Sequence, residues 1–266
     1  MTDRFQGFSF PAADLSEDVD LDVERRKEIL FADASLQGWT HWQALRIPWN
    51  APAEAAKSSY LDLVKLFHPD RYAGKRIGSY RARLTRSSTV LQRAGQVGEL
   101  AERGKRSYAE GRFAQAAADL VVAAGLDPRN AEVAALAAEA TRRATLGKVS
   151  DLLRRAADEE GRGRPAAALE LYKEAVAADE KNVRAAAEAA RASAQLGDVA
   201  GARTFADRAL ELGPRSGFAH EALGYALEAE GNKKEAKAAL ERAIELDPSL
   251  ERAKQRLKKL RWGFLA

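Results

Sequence analysis

The chain has 266 residues, of which 46% are hydrophobic and 31% charged, and this balance excludes both a disordered chain and a membrane protein. It contains no cysteine and three histidines, which excludes disulfides, thiolate metal sites and a cysteine nucleophile. No apolar run approaches the ~18 residues that span a bilayer, and the amino terminus lacks the basic-then-apolar order of a secretory signal. We therefore expect a cytoplasmic globular protein with no cofactor and no metal site.

Charge is unevenly distributed along the chain, although the formal net charge is only +4. Residues 1–35 carry nine acids and four bases, residues 57–86 eight bases and two acids, and residues 251–261 six bases and one acid. A local basic field attracts acidic partners. For residues 251–261 alone, solvated side chains on an exposed helix face are the simpler interpretation. Residues 1–18 are predicted to form a flexible acidic tail that is solvated rather than bound to the basic region.

Two of the helices predicted in the next part of the chain, residues 19–95, follow from the residue pattern alone. The segment DLDVERRKEILFADASLQGW carries an apolar stripe and forms the first. The second ends at Phe67, because Tyr60, Leu63 and Phe67 follow at spacings of three and four and share one helix face. Pro52 suits its first turn. The tripeptide His68–Asp70 follows, and its proline breaks the helix and leaves an imidazole and a carboxylate on an exposed turn.

A His-Pro-Asp tripeptide at the end of such a helix, eight residues after a tyrosine, resembles the J-domain of DnaJ-type co-chaperones. The resemblance implies a helical hairpin whose loop docks on a heat-shock protein 70 (DnaK-type) ATPase and promotes ATP hydrolysis and substrate capture. The residues that it marks as chaperone-binding are His68, Pro69, Asp70, Lys57, Lys65 and Arg71.

The sequence departs from the J-domain pattern at several positions. The family carries more bases on its second helix, where this chain has Leu61, Leu66 and the oppositely charged Asp62. The third helix should carry large apolar residues, but this chain has small ones, namely Ser87, Ser88 and Gly95. We therefore expect a thinly packed third helix that starts near residue 77 or 79 and relies on the following repeats for contacts.

Two other interpretations of the tripeptide are open. It could be a solvated turn that merely stops a helix. A His–Asp catalytic dyad is disfavoured, because neither a nucleophile nor a metal-ligand spacing accompanies it. The chain is therefore not expected to be an enzyme.

The carboxy-terminal half repeats with a period of 34 residues, as Gly163, Gly197 and Gly231 illustrate. Small residues, a turn glycine and a closing proline recur in each unit, and the pattern closely resembles the tetratricopeptide repeat. The fold expected is all-α, with a J-domain-like module at 19–95 followed by a tetratricopeptide-repeat α-solenoid at 96–250. Its predicted parts are the repeats 97–130, 149–182, 183–216 and 217–250, a long helix at about 131–160, and a capping helix at 251–266.

The resemblance also implies a concave peptide-binding groove on the repeats. Positions 2, 5, 6 and 9 of each first helix tend to face it in the family, and the groove residues singled out on this basis are Arg154, Arg184, Arg191, Phe218 and Tyr225. The Lys/Asn pattern of the family's carboxylate clamp is missing. We expect a mixed groove for an extended or helical segment with some acidic character; the alternative is a solvated inner face.

The sequence features lead to three functional hypotheses. The leading hypothesis is a co-chaperone that stimulates a heat-shock protein 70 through its loop and recruits a client protein or peptide through the repeats. The alternative is an interaction scaffold with a degenerate J-domain. A nucleic-acid partner is not expected, because the basic clusters lack interleaved aromatics or a recognised motif, and no membrane partner is expected.

Overall fold

The computed structural model describes residues 3–5, 7–48 and 51–262. Its elements are β1 (Asp3–Phe5), β2 (Phe8–Phe10), α1 (Ala12–Leu15), α2 (Val23–Leu36), α3 (His41–Ala44), α4 (Ala53–Phe67), a 3-10 turn (Pro69–Tyr72), α5 (Tyr80–Ala109), α6 (Phe113–Leu126), α7 (Ala131–Gly161), α8 (Pro165–Ala178), α9 (Val183–Gln195), α10 (Val199–Leu212), α11 (Gly217–Ala229), α12 (Lys233–Leu246) and α13 (Glu251–Trp262).

The predicted all-α class is confirmed, with one addition. Strands β1 and β2 form an antiparallel hairpin in which Phe5 pairs with Phe8. Among the described residues, no helix is long and apolar enough to cross a membrane. The chain divides into two compact units, Met1–Ala144 and Thr145–Ala266, here called the first and second units.

The first unit has one hydrophobic core, which corrects the predicted domain boundary. Helix α5 runs without a break from Tyr80 to Ala109, so the boundary predicted between 95 and 96 falls inside a helix. Leu30 of α2, Leu91 of α5 and Leu120 of α6 belong to the same buried cluster. The J-domain-like segment and the first repeat, predicted as separate domains, therefore fold together, because α5 packs against both.

The segment predicted as a flexible acidic tail is ordered over residues 7–18. Phe10 is buried in the core of the first unit. Glu17 accepts hydrogen bonds from the Ser79 N–H and hydroxyl at 2.9 and 2.6 Å, and these bonds lower the pKa of Glu17 below its ordinary value. Asp18 pairs with Arg76 at 3.2 Å. The prediction of a solvated tail is wrong here, because these acids meet partners about sixty residues away.

Small residues bring α4 close to α5, so the expectation of a thinly packed third helix is also wrong. A Cβ at Gly95 would lie 3.0 Å from the Tyr60 ring, and one at Gly98 would lie 3.3 Å from Ala56. These two contacts run in opposite directions along the helices, which makes α4 and α5 an antiparallel hairpin. The small residues of α5 therefore allow α4 to approach closely, whereas the J-domain family packs large apolar side chains at this interface.

Helix pairs with the tetratricopeptide geometry follow one another along the chain. The helices of each pair are joined at a glycine in the left-handed region, namely Gly111, Gly163, Gly197 and Gly231. In α5 and α6 a Cβ at Gly104 would lie 2.5 Å from Leu120, and in α11 and α12 one at Gly224 would lie 2.7 Å from Leu240. The same close approach thus occurs in residues 97–130 and in residues 217–250, which supports the assignment of 97–130 as a repeat.

Helix α7 occupies the stretch predicted as one long helix, with its first part in the first unit and its last part in the second. After α12, helix α13 packs Ala253, Leu257 and Leu260 against Leu240 and its neighbours in the last repeat. The predicted capping segment is 251–266. Residues 263–266 and the side chain of residue 262 lie outside the described part of the chain.

Leu257→Ala is expected to lower the free energy of unfolding by about 2–3 kcal/mol, because it removes buried methyl groups and leaves a cavity beneath α13. Urea denaturation of the full chain measures the change. Lys259→Ala, an exposed position on the same helix, should stay within about 0.5 kcal/mol of wild type. Equal midpoints for the two variants would contradict a capping role for α13.

Candidate functional site

The turn after α4 displays its imidazole and carboxylate to solvent. Helix α4 ends where His68 turns to extended backbone, and Pro69 begins the 3-10 turn. The Asp70 N–H donates to Nδ1 of His68 at 3.2 Å, and Oδ2 of Asp70 lies 3.5 Å from the same nitrogen. The side chains of His68 and Asp70 are 40% and 87% exposed. We call His68, Pro69 and Asp70 the HPD turn; its backbone is fixed locally, and both polar side chains can be reached by a partner.

Arg25 of α2 connects the two sides of the HPD turn. Nε of Arg25 donates to the Tyr72 hydroxyl at 2.6 Å, and the same guanidinium donates to the Leu66 carbonyl. It also lies 5.1 Å from the Phe67 ring. Phe67 and Tyr72, on either side of the turn, are buried. Sequence reasoning missed Arg25, because no local pattern marks a residue that bonds to a turn more than forty positions away.

The cations of residues 57–86 fall into two groups. Arg76, Arg83 and Arg86 are paired with acids of the first 35 residues, including a bidentate bond from Arg86 to Asp33 at 2.6 and 2.9 Å. The others have no carboxylate partner in the described part of the chain; they are Lys57, Lys65, Arg71, Lys75 and Arg81.

The predicted chaperone-binding bases all belong to this unpaired group. Lys57 and Lys65 are exposed on α4. Arg71 donates to the Lys65 carbonyl at 3.3 Å, which places these two cations beside the HPD turn. Lys57, Lys65 and Arg71 therefore keep unpaired positive charges on α4 and beside the HPD turn, on segments that also expose the acids Glu54, Asp62 and Asp70.

The concave face of the repeats contains a cavity of about 360 Å³. Leu153 and Ala157 of α7 and Glu188 of α9 form part of its wall. Arg184 and Phe218 also line it, with the Arg184 guanidinium 5.4 Å from the Phe218 ring. Arg184 is exposed and has no carboxylate partner among the described residues.

Three of the predicted groove residues do not line this cavity. Arg191 is only 4% exposed, because it turns onto carboxylates of the protein itself. Tyr225 is buried, with the Arg256 guanidinium 5.6 Å from its ring. Arg154 is exposed, but it pairs with Asp151 at 2.6 Å on its own helix. Arg191 and Tyr225 are therefore corrected from ligand-facing to buried, internally partnered positions, while Arg154 stays a prediction.

Charged side chains in and next to the wall of this cavity form a network of ion pairs. Arg191 bonds to Glu160 at 2.7 Å and to Glu188 at 2.9 Å, while Arg252 of α13 bonds to both oxygens of Glu188 at 2.6 and 3.0 Å. Burial alone would raise the pKa of Glu188, but the hydrogen bond from Arg252 and the charge of Arg191 outweigh it and hold the pKa below its ordinary value. Burial raises the pKa of Tyr172, whose hydroxyl lies 3.4 Å from Arg191, to about 12.

Glu221 is the poorly satisfied member of this network. It is 3% exposed, its Oε1 has no hydrogen-bond partner among the described residues, and Arg252 approaches its other oxygen at 3.6 Å. Burial raises the pKa of Glu221, and the negative charge of nearby Glu188 adds to this effect. The carboxyl group is therefore biased toward its neutral form relative to an exposed glutamate.

Arg252 lines the cavity but was not among the predicted groove residues. A signal for it exists in the sequence, because Arg184, Phe218 and Arg252 are spaced by 34 residues. Continuing the 34-residue spacing from the last repeat into the capping helix therefore identifies Arg252 as a groove residue. Among the described residues, no group of acidic residues and histidines is arranged to hold a metal ion.

Known family models match the middle of the second unit. Tetratricopeptide-repeat family models match residues 161–223 and 217–250. Residues 161–250, about a third of the chain, therefore resemble tetratricopeptide repeats. Repeats of this type mediate protein–protein interaction, and the matched residues contain α8 and the helix pairs α9–α10 and α11–α12. Residues 19–95 lie outside both matches.

Solved structures of tetratricopeptide-repeat proteins are also similar to this chain, whereas no curated protein matches it. The first TPR of Spaghetti (RPAP3) bound to the HSP90 peptide SRMEEVD is 25% identical, with a TM-score of 0.38, over 45% of this chain and 95% of that one. The TPR2AB domain of yeast Sti1 in complex with pHSP90 is 14% identical, with a TM-score of 0.36, over 88% and 97%. TTC0263 of Thermus thermophilus is 19% identical, with a TM-score of 0.31, over 78% and 98%.

The network of charges around Glu221 predicts a pH-dependent effect of the substitution Glu221→Gln on stability. In the wild-type protein the raised pKa makes the folded state bind more protons than the unfolded state, so stability falls as pH rises from the ordinary glutamate range through the raised pKa. The neutral amide avoids this loss. The variant should therefore be more stable than wild type by about 1 kcal/mol near neutral pH, and the difference should shrink as pH falls to about 4.

Urea denaturation at several pH values measures this difference. Glu245→Gln, which alters an exposed ion pair with Arg242 on α12, should stay within about 0.5 kcal/mol of wild type throughout. If Glu221→Gln is less stable than wild type near neutral pH, then the attraction of Arg252 outweighs the burial of the carboxylate, and the assigned direction of the pKa is wrong.

Proposed function

We propose that this protein is a co-chaperone that docks on a heat-shock protein 70 (DnaK-type) chaperone through the HPD turn, stimulates its ATPase, and recruits a client protein or complex through the repeats. The observation that carries the proposal is the exposed pair His68 and Asp70 at the end of α4. The antiparallel packing of α4 on α5 supports it, since this is the hairpin that the J-domain resemblance implies.

The charge distribution favours docking through α4. Lys57, Lys65 and Arg71 have no carboxylate partner in the described part of the chain, whereas Arg76, Arg83 and Arg86 are paired with amino-terminal acids. An acidic partner surface would pair with the three unpaired cations, and such complementarity accelerates encounter and fixes orientation. Leu61 and Leu66 are exposed on the same helix and offer apolar contact area.

The framework of the HPD turn suits this role. Arg25 holds Leu66 and Tyr72 on either side of the turn, so His68 and Asp70 stand on a fixed base. A preorganised contact loses little conformational entropy on binding. His68 and Asp70 can then exchange hydrogen bonds with water for charge-assisted bonds to a partner.

The repeats are proposed to supply the second half of the function. Arg184 beside Phe218 offers one cation and one aromatic ring at the cavity wall. The remaining charges of this face are paired among themselves. The ligand proposed is therefore an extended or helical segment that brings an acidic group to Arg184 and an apolar group to Phe218.

The alternative function is a scaffold whose J-domain-like segment is structural. The continuous helix α5 favours this alternative, since it ties the segment into the core of the first unit. An assay of ATP hydrolysis distinguishes the two functions.

The purified protein is expected to accelerate single-turnover ATP hydrolysis by a DnaK-type chaperone from the same cell. His68→Gln and Asp70→Asn should each abolish the acceleration, because losing a desolvated charged contact costs about 2–5 kcal/mol. Both variants should keep the wild-type helicity and thermal midpoint, since changes at exposed positions stay within about 0.5 kcal/mol. Glu132→Gln, an exposed carboxylate on α7, is the matched control and should accelerate hydrolysis like wild type.

Each outcome of this assay is informative. If the wild-type protein gives no acceleration, the scaffold function is favoured. Acceleration by both variants at the wild-type rate would show that His68 and Asp70 do not act on the chaperone. If the variants unfold, His68 and Asp70 are needed for folding, and a loss of acceleration does not identify them as docking residues.

Asp62 should slow docking, because it places an exposed negative charge on the cationic face of α4. Asp62→Lys is expected to raise the association rate with the chaperone, and most clearly at low ionic strength, where exposed charges are least screened. Stopped-flow measurements at two salt concentrations measure the rate. Asp151→Lys, an equal charge change in the second unit, should leave it unchanged; equal rates for Asp62→Lys and wild type would exclude α4 as the docking face.

A further inference from the structure

A cleft of about 320 Å³ lies in the first unit, and it includes no residue of the HPD turn. Its wall is built from the end of α2 and the loop that follows, from α5, and from the turn between α6 and α7. The residues that matter here are four apolar ones and two cations, namely Leu36, Trp39, Val90, Leu126, Arg93 and Arg129.

Hydrogen bonds between these segments fix the shape of the cleft. Asp127, which is 2% exposed, accepts a hydrogen bond from the His41 N–H at 2.9 Å. Nδ1 of His41 lies 3.0 Å from the same carboxylate oxygen. Arg129 donates to the Gln37 carbonyl at 2.6 Å. The turn between α6 and α7 is thereby fixed to the loop before α3, and a preformed cleft binds with a smaller ordering cost.

An aromatic surface leads out of the cleft. Trp39, which is half-buried, meets Phe31 edge-on at 6.0 Å, and Phe31 meets Phe8 edge-on at 5.5 Å. Phe8 is 41% exposed. Partly exposed aromatic rings next to arginine are the side chains that most often carry the binding energy of protein interfaces.

The charge at the cleft is uncompensated and positive. Arg93 is exposed and makes no hydrogen bond or ion pair in the described part of the chain, and the side chain of Arg129 bonds only to a carbonyl. The carboxylate of Asp127 is buried and engaged by His41. By contrast, Arg103 on the same helix as Arg93 is neutralised by Asp119 at 2.5 and 2.7 Å. Two arginines thus face the cleft without an acid of their own.

We propose that this cleft binds a protein segment in which one large apolar side chain is flanked by acidic residues. The apolar side chain enters between Leu36, Trp39 and Val90, and the flanking carboxylates pair with Arg93 and Arg129. The volume is at the lower end of the range for ligand pockets and accommodates one large side chain. The aromatic surface that continues to Phe8 gives the rest of an extended segment a place to lie. This site is independent of both the HPD turn and the repeat groove.

Fluorescence anisotropy with labelled octapeptides tests the proposal on the full chain. The probes have the sequence Ser-Asp-Glu-Φ-Asp-Glu-Ser-Gly, with leucine, phenylalanine or tryptophan at Φ. A peptide with alanine at Φ and a peptide with lysine in place of all four acids are the controls. At least one of the three probes should bind about tenfold more tightly than both controls. Absence of binding by all three probes, or equal binding of either control, would overturn the proposal.

Substitutions locate the site. Arg93→Glu and Arg129→Glu should each weaken binding of the best probe by about tenfold or more, since each replaces an attraction by a repulsion. Arg106→Glu makes the same charge change at an exposed position of α5 outside the cleft and should bind like wild type. Circular dichroism and thermal midpoints establish that the variants fold. Wild-type affinity in the Arg93 and Arg129 variants, or a loss of binding in Arg184→Glu instead, would place the peptide elsewhere and overturn the assignment.

Discussion

Close packing along helix α5, Tyr80–Ala109, is the constraint on which the first unit depends. At three places along this helix, a glycine lets another helix approach more closely than a larger side chain would allow: Gly95 faces Tyr60, Gly98 faces Ala56 and Gly104 faces Leu120. The first two contacts position α4, which carries the HPD turn, and the third positions α6 of the first repeat. Because one helix serves both, the HPD turn and the first repeat belong to the same core, and a change in the packing of α5 would affect both.

Electrostatic pairing decides which charges remain available to partners. In the first unit, acids near the amino terminus neutralise Arg76, Arg83 and Arg86. In the described part of this unit, cations without a carboxylate partner include Lys57 and Lys65 on α4, Arg71 at the HPD turn and Arg93 at the mouth of the cleft. Pairing also occurs among buried groups of the second unit, where Arg191 forms an ion pair with Glu160 and Arg252 forms one with Glu188. Net charge alone does not identify the available cations, because it does not show which of them are paired with acids of the protein itself.

Buried charge also ties the end of the array to its middle. Arg252 of α13 reaches Glu188 of α9, although 64 residues separate them. A buried ion pair adds little net stability by itself, but removal of one member leaves an uncompensated charge. Helix α13 therefore does more than cover apolar surface, because it completes the charge balance of the concave face while Leu257 and Leu260 complete the core of the last repeat.

The sequence by itself determined the helix pairs of the repeats and the position of the HPD turn. Both are local: a 34-residue period records contacts between neighbouring helices, and Pro69 stops α4 whatever surrounds it. Arg184 and Phe218 were likewise found from their register in the repeat. Only the tertiary structure decided that residues 7–18 pack on the first unit, that Arg25 holds the HPD turn, and that Arg191 is buried rather than free. Each of these depends on the meeting of side chains from different helices, and such a meeting leaves no periodic trace in the sequence, because a charged residue looks the same whether its partner is water or a carboxylate from another helix.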